Sequence, residues 1–149
     1  GRVLSLVRTF MKRGPDEICL ADSSGLANPA QMEAVLARVI AGTSGAGFSL
    51  HLHNTRGLGL ANVYAALRQG VSVFDTSMGG LGGCPFITGA RGNIATEDTV
   101  GMLGGMGIRT GIDLDCLAAT SRRFETIMGQ SFPAALTHLG NVEGEKVRR

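Results

Sequence analysis

No stretch of this 149-residue chain is apolar for long enough to span a bilayer. The opening residues, GRVLSLVRTFMKRG, carry charges every few positions where a signal peptide would have an apolar core. No Lys/Arg stripe or basic run occurs before the closing EKVRR, and a net charge of +2 with 17% charged residues leaves no footprint for nucleic acid. Three cysteines, Cys19, Cys84 and Cys116, are an odd count at wide spacing without a CxxC pair, which excludes a disulfide framework and a structural zinc module. These absences leave a chain expected in the cytoplasm, with a small-molecule partner and with neither membrane nor nucleic acid as its target. Its 44% hydrophobic content suffices for a substantial core, and its length suits one domain.

What is present is an alternation of helical and strand patterns. Val3, Leu6, Val7, Phe10 and Met11 recur at helical spacing over 1–13, and Gly14-Pro15 stops that segment. EICLAD, 17–22, reads as a short strand. Pro29 then opens a second helix, with Asn28 as its N-cap and Met32, Val35, Leu36, Val39 and Ile40 along one side. A glycine and serine turn over 42–47 leads into the strand FSLHLHN, and a third helix runs from about Gly59 to Gln69. VSVFDTS, 71–77, is the third strand; after a glycine-rich loop a short last strand is expected at Asn93-Ile94-Ala95. Thr96 is expected to cap the next helix, whose first turn carries Glu97 and Asp98 as the helix dipole favours. DLDCLAATSRRFETIMG, from Asp113, reads as the final helix.

Short apolar strands alternating with helices imply a parallel sheet covered by helices. Asp22, His51, His53, Asn54, Asp75 and Asn93 all lie at or just past strand C-termini, where a (βα)8 barrel collects its chemistry. Four strands could in principle form a doubly wound sheet, but the first element is a helix without its strand. The expected fold is therefore α/β, the C-terminal portion of a (β/α)8 TIM barrel entered partway through a repeating unit. Residues 1–129 would be the half-barrel and 130–149 a loosely ordered tail in which His138 has no role.

His51 and His53 project from one face of their strand, about 7 Å apart along the chain. They are either metal ligands or polar residues on a solvated face, and a sheet covered on both sides offers no solvated face. Asp22 either caps its turn or serves the site, and Asn93 after Gly92 is as readily a turn residue as a ligand. Cys84 sits in GGLGGCPF, either on a mobile lid or as an incidental thiol in a flexible loop. That loop lacks the GxxxxGK[ST] pattern of a phosphate cradle. Cys19 in a strand and Cys116 on a helix read as small buried hydrophobes.

HLHNT, GVSVFDTSMGGLGGCPF and GARGNIATEDTVGMLGGMGI, in this order and spacing, resemble the C-terminal half of the 3-hydroxy-3-methylglutaryl-CoA lyase family, the HMGL-like TIM-barrel metallolyases, over residues 1 to about 117. The resemblance implies that His51, His53 and Asn93 bind a divalent metal, Mg²⁺ or Mn²⁺ before Zn²⁺. It implies catalytic roles for Cys84, Asp22 and Glu97, and contacts to an acyl-CoA substrate from Asn54, Thr55, Gly82 and Gly83. The implied reaction is retro-Claisen cleavage of 3-hydroxy-3-methylglutaryl-CoA to acetyl-CoA and acetoacetate, as in leucine catabolism and ketone-body formation. An aldolase or Claisen-type synthase of the same barrel family, or an inactive fragment, are the alternatives; such a synthase is expected to lack the cysteine loop. The chain departs from the family's usual Asp-Thr at Asp22-Ser23 and from its His-Asp-Thr at His53-Asn54-Thr55. The family's first strand carries an arginine, an aspartate ligand and a further acid that are not in this sequence. The active protein is accordingly expected to be longer, with the N-terminal half of the barrel as a partner of these residues and a homodimer as an expected assembly.

Overall fold

The computed structural model describes residues 1–43, 47–83, 89 and 92–139. They form two compact units, one made from Gly1–Asp75 together with Gly83 and Gly89, the other from Thr76–Gly82 and residues 92–139.

The first unit comprises α1 (Arg2–Met11), β1 (Glu17–Asp22), α2 (Pro29–Ala41), β2 (Gly47–Leu52), α3 (Gly59–Arg68) and β3 (Val73–Asp75). The strands lie side by side in the order β1-β2-β3, all parallel, as alternation with helices requires. Cys19 pairs with Ser49, Ala21 with His51, and His51 in turn with Asp75. Asn28 starts α2 through a capping box: its side chain accepts from the Gln31 N–H at 2.9 Å, and the Gln31 side chain accepts from the Asn28 N–H at 3.2 Å. Leu36 and Val39 of α2, Leu50 and Leu52 of β2, and Val63 and Ala66 of α3 are the core, each 1% exposed or less.

The opposite side of the sheet carries different chemistry. Glu17, Cys19, Ala21, Val73 and Asp75, which share the face of Ser49 and His51, are exposed on the outer strands. The expectation of a sheet covered on both faces is therefore corrected: the apolar side chains supply cover for one face only. Cys19 is corrected with it, because an odd-numbered position on edge strand β1 points to the open face. Cys116 is likewise exposed.

The second unit holds a 3₁₀ turn at Met78–Gly80, α4 (Thr96–Gly105), α5 (Leu114–Met128) and a second 3₁₀ turn at Ala135–Thr137. The expected strand at Asn93–Ala95 is a single parallel bridge, Ser77 to Ala95. Ser77 N donates to Ile94 O at 3.1 Å and Thr96 N to Ser77 O at 2.9 Å. Thr96 does not cap α4: the cap position is Ala95, and the Thr96 hydroxyl instead meets that of Thr76 at 2.8 Å. Asp113 caps α5, accepting from Cys116 N at 2.9 Å, and Gly129, at φ 65°, ends it in the left-handed conformation.

Residues 130–139 are not a loose tail. Phe132, Ala134 and Thr137 are buried. Asp98 accepts the Ala135 and Leu136 N–H groups at 3.1 and 2.9 Å, and Arg122 donates to Thr137 O at 2.8 Å. Glu125 receives the Phe132 N–H and lies 3.1 Å from the His138 Nε2. The segment is held by the satisfaction of its own backbone donors, a feature invisible to periodicity. Phe132→Ala is accordingly expected to cost about 3–5 kcal/mol, read from the urea midpoint of unfolding. A loss below about 0.5 kcal/mol is what an unpacked tail would give.

Candidate active site

Three structural pieces carry the candidate residues. The first is the end of β2. His51 is the last residue but one of the strand, and His53 follows Leu52, so the period of two aims both imidazoles to the same side. Their Nε2 atoms approach to 3.3 Å, with ring centroids 5.2 Å apart and planes inclined at 59°. His51 Nδ1 lies 3.5 Å from the Asp75 carboxylate, and Cys19 Sγ lies 3.9 Å from the same oxygen. His53 is buried, and its Nδ1 has no hydrogen-bond partner among the described residues.

A pair of nitrogens in this attitude suits a cation. Two ligands bound to one ion at about 2.0–2.2 Å sit about 2.8–3.1 Å apart at octahedral angles and about 3.3–3.6 Å apart at tetrahedral ones, so the Nε2 separation of 3.3 Å is within about 0.2 Å of the first range and at the lower end of the second. Among the described residues no group of three or more His, Cys, Asp or Glu side chains could hold a metal.

The second piece is the neck of the glycine loop. Asn93 Nδ2 donates to Leu81 O at 2.8 Å, which fixes the amide's orientation. Its Oδ1 is buried, with no hydrogen-bond partner among the described residues. The neck is tight: a Cβ on Gly82, at φ 103°, would stand 2.6 Å from the Asn93 amide nitrogen, and one on Gly92 would collide with the carbonyl oxygens of Gly80 and Gly82. Glu97, 0% exposed, lies beneath this neck. Both of its oxygens receive the Gly79 N–H, at 3.0 and 2.9 Å, and one also receives the Ser121 hydroxyl. Gly79 holds φ 65°, and a side chain there would enter the Phe132 ring. Cys84 lies outside the described residues.

The third piece is the pair of turns after β1 and β2. The Asp22 carboxylate accepts from Leu26 N at 3.3 Å, Ala27 N at 3.0 Å and the Ser24 hydroxyl at 3.2 Å. Gly25, at φ 63°, lets that turn lie against Thr55, whose N would be 2.8 Å from a Cβ. Asn54 Oδ1 accepts the Gly59 N–H at the start of α3, at 2.9 Å. Aspartate could accept that bond equally well, so the departure at Asn54 preserves the local structure.

Asp22 and Glu97 accept hydrogen bonds from backbone N–H groups and hydroxyls, which fixes the orientation of both carboxylates in their turns. His51 and His53 come together as expected in the first unit, while Asn93, Gly82 and Gly83 lie in or beside the neck, Gly82 and Gly83 being exposed. Sequence reasoning missed the parts played by Asp75 and Ser121. Asp75 carried a signal, its strand-end position beside the strand of the histidines; Ser121, inside α5, carried none.

Parallel βα units with paired imidazoles at a strand end, and an oriented amide on a glycine-rich neck, define the protein as a portion of an α/β barrel with its polar groups at the strand C-termini. The chain belongs to the HMGL-like family, whose model matches residues 1–123. The hydroxymethylglutaryl-CoA lyase of Bacillus subtilis (strain 168) is 44% identical over 133 residues, covering 89% of this chain and 44% of that protein. The (R)-citramalyl-CoA lyase of Chloroflexus aurantiacus is 41% identical over 141 residues, covering 95% and 44%. Among solved structures, an HMG-CoA lyase from Acinetobacter baumannii in complex with coenzyme A and 3-methylmalate superposes with a TM-score of 0.88 at 46% identity, over 97% of this chain and 48% of that one. The chain spans less than half the length of these relatives, and its fold is that of a C-terminal portion of their barrel.

The neck yields a prediction independent of chemistry. Gly92→Ala forces a methyl group against two backbone carbonyls, which cannot turn aside as a side-chain end can. A stability loss of about 1–3 kcal/mol is expected in urea unfolding. Wild-type stability would mean that the two ends of the loop are not in contact.

Proposed function

We propose that these residues form the C-terminal half of the catalytic barrel of a carbon–carbon lyase acting on 3-hydroxy-3-methylglutaryl-CoA, releasing acetyl-CoA and acetoacetate. The observation that carries this reading is the 3.3 Å approach of the two Nε2 atoms, found in a chain 44–46% identical to proteins named as such lyases. His51, His53 and Asn93 supply two imidazole nitrogens and an amide oxygen, a donor set that suits Mg²⁺ or Mn²⁺ better than tetrahedral zinc. When bound, the ion supplies Lewis-acid polarisation of hydroxyl and carbonyl oxygens.

The chain's own residues have the remaining tasks. The tertiary hydroxyl passes its proton to a general base of the assembled barrel, C3 becomes a ketone as the C2–C3 bond breaks, and the bonding electrons pass to C2 as a thioester enolate. C2 must then take up a proton, and we assign that proton to the Cys84 thiol. Gly82, Gly83, Asn54 and Thr55 line the acyl-CoA path in this reading. The open face and the free edge of β1 are assigned to the N-terminal half of the barrel, which supplies the remaining metal ligand. The cytoplasm is the proposed location; among the described residues no helix is long and apolar enough to cross a membrane. Assembly as a homodimer is part of the same proposal.

The similarity to (R)-citramalyl-CoA lyase supports a second substrate reading, since that relative covers 95% of the chain. Both acyl groups carry a tertiary 3-hydroxyl, so turnover of 3-hydroxy-3-methylglutaryl-CoA and of citramalyl-CoA by the full-length protein separates the two.

Cys84→Ser should lower turnover by about 10²-fold to 10⁴-fold with metal affinity nearly unchanged. His53→Ala should act in the opposite order, losing metal occupancy first and regaining part of its activity at high Mg²⁺ or Mn²⁺. Steady-state assays beside metal titrations distinguish them, and full turnover by the Cys84→Ser protein would remove the thiol from the mechanism.

A further inference from the structure

We propose that Asp75 is a positioning residue for the cation site: its carboxylate holds the Nδ1 proton of His51 and leaves Nε2 of that ring bare toward His53. The inference rests on the metal reading above and adds to it a residue outside the proposed ligand set. Backbone pairing sets the contact. His51 and Asp75 are direct partners in the parallel ladder of β2 and β3, so their side chains leave the sheet on the same face, and the carboxylate reaches Nδ1 at 3.5 Å.

A neutral imidazole has one N–H, and the neighbour of one nitrogen decides the state of the other. An acceptor at Nδ1 places the proton there and turns the Nε2 lone pair toward His53 Nε2, 3.3 Å away. With the His53 proton on Nε2 the two rings hydrogen-bond to each other; with it on Nδ1 a cation between them would meet two lone pairs. His53 has no equivalent support among the described residues, where its buried Nδ1 has no hydrogen-bond partner. The two rings are therefore unequal, and His51 is the one whose donor atom is fixed from behind. The other group on Asp75 is the Cys19 thiol at 3.9 Å, a weak donor that leaves the carboxylate free for the imidazole.

The bland alternative is a surface ion pair. Asp75 is 61% exposed in its side chain, and such pairs contribute little to stability. The alternatives diverge in metal affinity and in the tautomer of His51, and neither readout needs turnover. In the full-length protein, Mn²⁺ binding without substrate is followed by the EPR signal of the free ion for wild type, Asp75→Ala, Asp75→Glu and His51→Ala. Removing the carboxylate is expected to raise the Kd for Mn²⁺ by about 10-fold to 100-fold, the usual effect of losing a group that orients a ligand. Asp75→Glu should recover part of the affinity, and the urea midpoint of the metal-free protein should hardly move. ¹⁵N NMR of the metal-free protein above neutral pH should show the Nδ1–H tautomer of His51 in wild type and a shift toward Nε2–H in Asp75→Ala.

If wild type binds Mn²⁺ and His51→Ala abolishes binding while Asp75→Ala stays within twofold of wild type, the inference about Asp75 is overturned and the metal reading stands. If wild type itself does not bind Mn²⁺, both fall together.

Discussion

The parallel register of β2 between β1 and β3 is the constraint on which the candidate site depends. Side chains in a strand alternate between faces, so a slip of one residue would send His51 and His53 into the helix-packed core and bring Leu50 and Leu52 out. The burial of Leu50, Leu52, Leu36 and Val63 forbids that slip. A slip of two would keep the faces but break the pairing of His51 with Asp75. Hydrophobic burial on one face thus sets the position of ionisable groups on the other. The histidines approach each other because the strand that bears them cannot move.

The acids of the chain separate by what they touch. Asp22, Glu97, Asp98 and Asp113 accept backbone N–H groups at turns and helix starts. A carboxylate so placed satisfies donors that the ends of strands and helices leave unpaired, which stabilises the turn. Asp75 faces an imidazole and a thiol instead. Asn93 combines both uses, since its amide N–H₂ closes the neck onto Leu81 while its oxygen is left buried and unpaired. A buried acceptor without a donor has a cost of about 1–3 kcal/mol, and an arriving ligand or ion would remove that cost.

Much of this architecture could be read from the residues. β1 at Glu17–Asp22, the Asn28 cap with Pro29, the third helix from Gly59 and the final helix beginning at Asp113 appear where periodicity and capping chemistry put them, because each is decided within a few residues. The HxH pair was legible for the same reason: a strand period fixes the relation of two side chains whatever the tertiary fold. What was not legible depends on distant partners. The strand expected at Asn93–Ala95 is a single bridge, Thr96 turns to Thr76, and Glu97 is buried under Gly79 and Ser121, 18 and 24 residues away. The packing of residues 130–139 depends on Asp98, Arg122 and Glu125, which a sequence window does not bring together. Cys84, the residue that most separates a lyase from its relatives in the sequence reading, lies outside the described residues.

The central claim is that the strand end carrying His51 and His53 is a divalent-cation site. Its most direct test is a crystal structure of the full-length protein grown with Mn²⁺, with diffraction recorded on both sides of the manganese absorption edge. The account predicts one anomalous peak at about 2.2 Å from both Nε2 atoms. A well-ordered site without that peak, or manganese bound only elsewhere, would contradict it.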